Sequence, residues 1–289
     1  APIKGVVWEQ GDILQPGMVR DFVAGCDHII HCAARISIRG GQEGLVWKTN
    51  VVGVKNILEA CLQEKVKRLI HVSSTHAVLE RPGNQPFDET RPYKGKNDFS
   101  YDHSKAAGEQ LVLQYVEAHE LDAVVVRPSG ILGYPDHRPS LLGLAIIDMY
   151  KGKIPILPQG GYNYVDLESV VKSIVSCIKN GVTGEIYLLS GKYYSMREFA
   201  RILSKVTGKP MPKMVLPSWL LVGILPFVSL FSFITRNPSP FTYESILTLK
   251  NGHQDIRHDK ATHVLGHDPK PLAETMKQLI QWFQKEKLI

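Results

Sequence analysis

Tyr101 and Lys105 are the residues whose types and spacing most directly indicate chemistry. They stand four residues apart, so a helix would place both on one face. A free phenol has a pKa of about 10 and is a poor base at neutral pH. An ammonium one helical turn away would lower that pKa and let Tyr101 take or give a hydroxyl proton. The pair therefore predicts a general acid/base that interconverts an alcohol and a carbonyl, with hydride carried by a nicotinamide.

The context of this pair carries more weight than its spacing. About one Tyr–x–x–x–Lys spacing is expected by chance in a chain of this composition. This one, however, opens a helical segment and follows the run Val72-Ser73-Ser74-Thr75, in which a strand ends in three hydroxyl residues. A neighbouring hydroxyl would hold the substrate oxygen in place. The combination favours catalysis over a surface contact.

Alternating strands and helices must position these residues. Nearly continuous apolar runs predict strands whose two faces are both covered by helices. The runs are Val6–Trp8, His28–His31, Arg68–Val72, Ala123–Val126 and Glu185–Leu189. Helical periods fill the intervals at about 18–24, 45–64, 100–119 and 166–180. This order predicts an α/β fold with a doubly wound parallel sheet, in which ligands bind at the carboxyl ends of the strands.

The alternation of predicted strands and helices stops after residue 190. We therefore expect a dinucleotide-binding core over 1–190 and a smaller, mostly helical lobe over 191–289. Ser195 followed by Glu198 predicts a capping box for a helix that ends near Thr207. A last helix is expected over Leu272–Lys287.

The stretch Met214–Thr235 contains no charged residue and is flanked by Lys213 and Arg236. It is long enough to cross a bilayer as one helix, but Pro217 and Pro226 interrupt it. Three interpretations stay open: helices that rest on a membrane surface, a covered wall of the substrate pocket, and a true span.

Composition narrows the class of partner and compartment. The chain has 289 residues, 44% hydrophobic residues and a net charge of +6. The hydrophobic content excludes a disordered chain. The positive charge is small, so it does not require an acidic partner. The basic residues lack interleaved aromatic residues, so no nucleic-acid site is expected. Four cysteines without a CxxC pair indicate free thiols in a reducing, intracellular compartment, either the cytoplasm or the periphery of a membrane.

No metal site is expected. The four histidines near the C-terminus, at positions 253, 258, 263 and 267, have no good ligand spacing, since Gly266 breaks the one i,i+4 pair. We expect these side chains to be solvated.

The run Phe99–Lys105 resembles the active-site helix of extended short-chain dehydrogenases/reductases. Within that group the chain is most similar to the 3β-hydroxysteroid dehydrogenase and dihydroflavonol-reductase-like branch. Further matching segments are Asn50–Gly53, Asn56–Cys61, Arg127–Gly133, Tyr164–Asp166 and Leu265–Pro269. Val54, directly after the first of these segments, stands where the family's Asn-Val-x-Gly helix usually has a threonine.

The resemblance implies roles for individual residues. Tyr101 would be the acid/base, Lys105 its electrostatic partner, and Thr75 the triad hydroxyl, with Ser74 as the alternative and Ser73 as the less favoured one. Asp12 would accept from the adenine amino group of NAD or NADP. Asn50 would either support a water path to Lys105 or cap local backbone. The other residues expected to meet the cofactor are Ala33, Ala34, Pro128 and Ser129.

One family feature is missing from this sequence. The family opens with a strand and a glycine-rich turn that holds the pyrophosphate. Here Gly41 and Gly44 have a partial spacing but follow no strand. The expectation is that the sequence is a fragment lacking the first βαβ unit; the alternative is impaired or rebuilt cofactor binding. The choice between NAD and NADP cannot be read from it.

The resemblance and the apolar lobe together imply an oxidoreductase for a hydrophobic secondary alcohol or ketone, with a sterol or steroid as the expected substrate. The alternatives are a sugar-nucleotide epimerase and a non-catalytic, cofactor-sensing protein of the same fold. A dehydratase is disfavoured, because His76 and Ala77 follow Thr75 where dehydratases carry Asp-Glu. A homodimer through the helix that bears Tyr101 is common in the family and is expected here.

Overall fold

A parallel four-stranded sheet carries the predicted motifs. The structure, a computed structural model, describes residues 4–235 and 241–289. For residues 227–235 it describes the backbone only. The strands lie in the order β1-β2-β3-β7. Their bounds are β1 His28–His31, β2 Arg68–Val72, β3 Ala123–Pro128 and β7 Ile186–Leu189. All neighbouring pairs among these four strands are parallel, as predicted.

Helices cover both faces of this sheet. The α-helices are α1 Pro16–Val23, α2 Leu45–Trp47, α3 Gly53–Gln63, α4 Ser100–His119, α5 Leu141–Tyr150, α6 Leu167–Asn180, α7 Met196–Thr207, α8 Ser218–Thr235, α9 Tyr243–Asn251, α10 Asp259–Leu265 and α11 Leu272–Lys285. Successive side chains of a strand point to opposite faces. Leu69 and Val125 therefore join the apolar cluster under α1, α3 and α4, whereas Ile70 and Val124 join the cluster under α6 and α10. The doubly wound α/β fold is confirmed.

Two smaller sheets and the C-terminal helices complete the molecule. One sheet has the order β4-β6-β8 and the other pairs β5 with β9. Their bounds are β4 Gly130–Leu132, β5 Leu157–Pro158, β6 Gly161–Asp166, β8 Lys192–Ser195 and β9 Val215–Leu216. Helix α7 begins with the predicted capping box. Phe199 and Leu203 of α7 pack with Met276 and Phe283 of α11 in a second apolar core.

The predicted strand Val6–Trp8 is wrong. These residues have no strand structure, and Val7 and Trp8 are 83% and 70% exposed. A strand needs a neighbour for its backbone hydrogen bonds. In the part of the chain that the structure describes, β1 pairs with β2 and has no strand along its other edge, so residues 6–8 find no place in the sheet.

The apolar stretch forms β9 and α8 in place of one long helix. Pro217 precedes α8 and Pro226 lies inside it. Leu221 is buried, whereas Trp219 is 74% exposed. Among the described residues there is no helix with the length and hydropathy that a membrane crossing requires. Arg236, predicted to flank the stretch, lies outside the described residues.

A buried ion pair fixes α4 against β3. Arg127 Nη2 lies 2.6 Å from Glu109 Oε1, and the Arg127 Nε contacts both carboxylate oxygens. Both side chains are within 1% of full burial, so each ion depends on the other for its solvation. At Gly108 the helix backbone approaches so closely that a Cβ would lie 2.4 Å from the Asn50 carbonyl oxygen. These contacts set the position of the whole α4 helix.

Replacing one partner of this pair should destabilise the fold. Glu109→Gln keeps the side-chain shape but leaves the buried Arg127 charge uncompensated, so we expect a loss of about 3–5 kcal/mol in the free energy of unfolding. Urea unfolding measures it. Glu117→Gln, at an exposed position of the same helix, is the control and should change stability by less than about 0.5 kcal/mol. Equal effects of the two substitutions would contradict the role given to the ion pair.

Candidate active site

Tyr101 lies in the first turn of α4, where its side chain reaches the end of β2. The Ser74 hydroxyl acts on the phenol and opposes the effect of burial on the pKa of Tyr101. Ser74 also accepts a hydrogen bond from the His76 backbone N–H at 3.1 Å, which starts the short 3₁₀ turn Thr75–Ala77. This turn therefore holds the Ser74 hydroxyl in a fixed position beside the phenol.

Thr75 and Ser74 both stay candidates for the triad hydroxyl. The Thr75 hydroxyl acts to lower the pKa of Tyr162 of β6, whereas the Ser74 hydroxyl acts to lower the pKa of Tyr101. Consecutive residues at the end of a strand point in different directions, so the two hydroxyls have different neighbours. We therefore prefer Ser74, the predicted alternative, as the partner of Tyr101. Ser73 is buried, and its Oγ has no hydrogen-bond partner among the described residues.

The pKa of Tyr101 is raised to about 12, which is the opposite of the predicted direction. Burial disfavours the phenolate and is the largest cause; the Asp102 carboxylate adds to it, and the hydrogen bond with Ser74 opposes it. The argument from spacing considered only the ammonium and left burial out. At neutral pH Tyr101 is therefore a proton donor.

Lys105 points its ammonium at the end of β2. Its Nζ donates a hydrogen bond to the Val72 carbonyl oxygen at 2.8 Å. The side chain is buried, and burial lowers the pKa of Lys105 to about 8, although Glu109 partly opposes this. The ammonium therefore carries a desolvation cost that an exposed lysine does not.

Two buried histidines beside Lys105 were not expected from the sequence. His31 and His71 occupy matching positions of β1 and β2, and their ring centroids lie 5.5 Å apart. Burial, and secondarily the charge of Lys105, lowers the pKa of His31 to about 4 and that of His71 well below its usual range. Both rings are therefore neutral at pH 7, and they add no second positive charge beneath the site. The sequence does contain one signal for this pair, because each histidine lies in one of the two predicted strands His28–His31 and Arg68–Val72.

Asn50 caps local backbone, one of the two roles considered for it. It lies in the π-helical segment Lys48–Val52. Its Oδ1 accepts from the Arg35 N–H at 2.7 Å, and its Nδ2 donates to the Arg35 carbonyl and to Ser104 Oγ. These bonds join the loop after β1 to α4.

The residues expected at the nicotinamide end fit such a group. Ala33 and Ala34 are exposed just beyond β1, where small side chains let a flat ring approach the backbone. Ser129 follows Pro128, the last residue of β3, and its buried Oγ has no hydrogen-bond partner among the described residues. A buried hydroxyl of this kind needs a polar group from a ligand or water. Asp12 is exposed in the turn before α1, and its Oδ1 accepts from the Leu14 N–H.

The C-terminal histidines are partly buried, which corrects the expectation that they are solvated. His253 and His267 are 5% and 1% exposed. His267 contacts Ser173 and the Ser190 carbonyl, and His253 contacts the Gln85 carbonyl. Burial lowers the pKa of His267. These two side chains hold segments of the fold together.

One other group of side chains has the composition of a metal site. Ligand atoms of His76, Glu80 and Asp102 lie within 4.8 Å of one another. The Lys94 ammonium, however, lies 2.6 Å from an oxygen of each carboxylate, so it already supplies the positive charge between them.

Comparison with known proteins assigns the family. The family model described as "NAD dependent epimerase/dehydratase family" matches residues 2–190, and the chain belongs to this family. It is 28% identical over 296 residues to sterol demethylase protein B of Methylococcus capsulatus, which covers 100% of this chain and 89% of that protein. It is 29% identical over 300 residues to 3beta-hydroxysteroid-dehydrogenase/decarboxylase isoform 1 of Arabidopsis thaliana, covering 96% of this chain and 67% of the relative.

A solved structure has a similar fold. The crystal structure of gox2253 superposes with a TM-score of 0.80 at 26% identity, over 96% of this chain and 84% of that one. The predicted enzyme class, an NAD(P)-dependent short-chain dehydrogenase/reductase, and its NAD or NADP cofactor are confirmed at the level of the family.

The buried charge of Lys105 should make stability depend on pH. Its pKa is lowered in the folded state, so between about pH 8 and 10.5 the unfolded chain binds more protons and stability rises with pH. Lys105→Met should therefore raise the free energy of unfolding at pH 7 by about 2–3 kcal/mol, and by much less at pH 10.

Urea unfolding at both pH values measures this difference. Lys179→Met, at an exposed position of α6, is the control. Its effect on the free energy of unfolding should be the same at both pH values. Two results would show that Lys105 is not a costly buried charge. One is a Lys105→Met protein that is less stable than the wild type at pH 7. The other is an increase in the free energy of unfolding that is as large at pH 10 as at pH 7.

Proposed function

We propose that this protein transfers hydride between a nicotinamide dinucleotide and a hydrophobic secondary alcohol or ketone, a sterol or steroid. The observation that carries the proposal is the placement of Tyr101 and Lys105 on α4, with the Lys105 ammonium bonded to the Val72 carbonyl at the carboxyl end of β2, just before Ser74. In an open α/β sheet this edge is where ligands bind. Membership of the family adds the dinucleotide.

Each side chain has a task in the proposed reaction. Tyr101 is protonated at neutral pH and donates its proton to the carbonyl oxygen as the ketone is reduced. Ser74 donates a second hydrogen bond to that oxygen and orients it. Lys105 adds a positive charge near the developing alkoxide. When bound, the dinucleotide supplies the hydride, and Ala33, Ala34 and Ser129 would hold its nicotinamide end.

The proposed substrate class rests on two observations. The lobe that follows residue 190 carries the apolar segment of β9 and α8. Two relatives bear names that refer to sterols or hydroxysteroids. Both observations favour an apolar alcohol or ketone.

A nucleotide-sugar epimerase is the second candidate, because the family's description includes epimerases. An epimerase must bind a diphosphate, for which cationic side chains in the second lobe are needed. Binding of a nucleotide sugar, together with no turnover of sterols, would favour it. Cofactor binding without any turnover would favour the non-catalytic alternative.

We also propose that the segment 214–235 rests on a membrane surface that supplies the apolar substrate. Trp219 is 74% exposed and Met214 is 59% exposed, and such side chains insert at the lipid boundary. Lys205, Lys209 and Lys213 precede the segment and suit an anionic surface. The homodimer expected through α4 stays a prediction.

Loss of the phenolic hydroxyl should remove turnover. Tyr101→Phe is expected to lower kcat for an apolar 3-keto steroid by about 10²–10⁴-fold, because general acid catalysis contributes that much. Binding of NADH or NADPH, measured by cofactor fluorescence, should stay within a few-fold. Tyr134→Phe removes the hydroxyl of an exposed tyrosine and is the control. Full activity of the Tyr101 variant would refute its assigned role.

Removal of the exposed apolar side chains should weaken membrane association. We expect the protein to sediment with anionic phosphatidylserine vesicles, and the double variant Met214→Ser, Trp219→Ser to bind at least several-fold less. Val171→Ser, Val175→Ser on α6 removes two exposed apolar side chains elsewhere and is the matched control. Equal binding of both double variants would argue against this surface.

A further inference from the structure

Two adjacent histidines are buried on the face of the sheet that α1, α3 and α4 cover, here termed the α3–α4 face. His31 ends β1, and the strand register pairs it with His71 of β2. Their ring centroids lie 5.5 Å apart, and both residues are buried. Leu69, two residues before His71, belongs to the apolar cluster of this face, and side chains two residues apart in a strand point the same way. The pair is therefore enclosed between the strands and these helices.

The ring nitrogens of the pair have few hydrogen-bond partners. Among the described residues, neither nitrogen of His71 has one, and the same holds for His31 Nε2. Most buried polar atoms in proteins are bonded, and the buried His267 follows that rule, since Ser173 and the Ser190 carbonyl contact its two nitrogens. A protonated imidazole has two N–H donors. Protonation of His31 or His71 in this position would therefore leave a buried donor without an acceptor.

The charged groups near the pair do not favour a positive imidazole. The Lys105 ammonium of α4 donates to the carbonyl of Val72, the residue after His71. Glu109 is the carboxylate that acts on Lys105, but Arg127 of β3 already pairs with it at 2.6 Å. Protonation of a ring would thus add a positive charge next to an ammonium, with the carboxylate of α4 engaged elsewhere.

The other elements on this face contribute apolar side chains and thiols. Burial raises the pKa of the Cys61 thiol to about 12, and it also raises the pKa of Cys32, the residue after His31. Both thiols are therefore neutral at pH 7. The buried side chains that α1 and α3 add to the α3–α4 face are Val19, Val23, Val54, Ile57, Leu58, Ala60 and Cys61.

Acid therefore favours an open form of this face over the closed form. Burial, and secondarily the charge of Lys105, lowers the pKa of His31 to about 4 and that of His71 well below 6.5 in the closed form. In water each ring returns to a pKa of about 6.5. Below that pH the open form binds more protons than the closed form, so the equilibrium moves toward opening as the pH falls.

We propose that His31 and His71 form an acid-sensitive switch that opens the α3–α4 face of the sheet. Opening separates Lys105 from the Val72 carbonyl, and it moves Tyr101, which lies on the same helix, away from the strand ends. The candidate active site is then assembled at neutral pH and lost reversibly in acid. This inference goes beyond the proposed function and does not depend on it, because it concerns the packing of α4 and not the reaction.

Two buried thiols report on the two faces of the sheet separately. Cys61 of α3 lies in the cluster of the α3–α4 face, whereas Cys177 of α6 lies in the cluster of the opposite face. Both are fully buried, so N-ethylmaleimide reaches each of them only when its face opens. The rate at each thiol is read by peptide mass spectrometry and divided by the rate in the urea-unfolded chain at the same pH.

The relative rate at Cys61 should rise about 50-fold between pH 6.0 and pH 5.0. Each histidine contributes about sevenfold to this increase, because the open form takes up a proton at each ring. At pH 5.0 Cys61 should react at least tenfold faster than Cys177. Return to pH 7 before the reagent is added should restore the protection of Cys61.

Phenylalanine in place of either histidine keeps a ring and removes the protonation. His31→Phe and His71→Phe should each leave an increase of about sevenfold at Cys61 between these pH values. The double variant should leave an increase of less than twofold. His28→Phe, at an exposed position of β1, is the matched control and should retain the 50-fold increase.

A measurement on the unsubstituted protein keeps the test decisive if a variant does not fold. In protein labelled with ¹³C-histidine, the assigned Cε1 signals of His31 and His71 should stay at the neutral-ring position down to pH 5.5. At that pH a histidine in an unfolded chain is about 90% protonated.

The outcomes decide the proposal without any measurement of turnover. An acid response at Cys61 that the double substitution abolishes supports the switch. Three results overturn it: equal relative rates at Cys61 and Cys177 at pH 5.0, an acid response that persists in the double variant, and titration of His31 or His71 above pH 6 in the folded protein. None of them bears on hydride transfer, so the proposed function stands or fails by its own test.

Discussion

The buried ion pair between Glu109 and Arg127 is the constraint on which the site depends. It ties the middle of α4 to β3 with both charges removed from water. Such a pair holds position more than it adds stability, because desolvation offsets much of the Coulomb attraction. One turn before Glu109, Lys105 donates to the end of β2. Together these contacts fix α4 across two strand ends, and Tyr101 in its first turn then has little freedom in where it points.

Burial has opposite consequences for the two residues of the motif. It raises the pKa of Tyr101 and lowers that of Lys105, because it disfavours the charged form of each. The phenol is consequently a proton donor at neutral pH. The proposed reduction of a ketone needs such a donor, and burial keeps the phenol protonated.

Much of the fold could be predicted from the sequence, since apolar runs and helical periods report local structure directly. The bounds of β2 and α4 agree with the prediction to the residue. The strand at Val6–Trp8 was wrong, because a strand also depends on a partner that the local sequence does not reveal. The π-helical turn at Lys48–Val52 lay inside a segment that was correctly predicted as helical, and periodicity cannot distinguish it.

The site was only partly predictable for a similar reason. The spacing of Tyr101 and Lys105 and the hydroxyl run before them indicated the candidate site. Which hydroxyl meets the phenol depends on the direction of the chain at the end of β2, and the sequence pattern alone does not separate Thr75 from Ser74. The contact of His76 with Tyr162 joins residues 86 positions apart, so no local pattern could have revealed it.

The contrast between the two adjacent hydroxyls gives the most direct test of this account. Steady-state reduction of a 3-keto steroid should be measured for Ser74→Ala and Thr75→Val. If α4 directs Tyr101 to Ser74, the serine variant should lose about 10- to 100-fold in kcat, whereas the threonine variant should lose less than about threefold. A larger loss in Thr75→Val than in Ser74→Ala would contradict the arrangement described here.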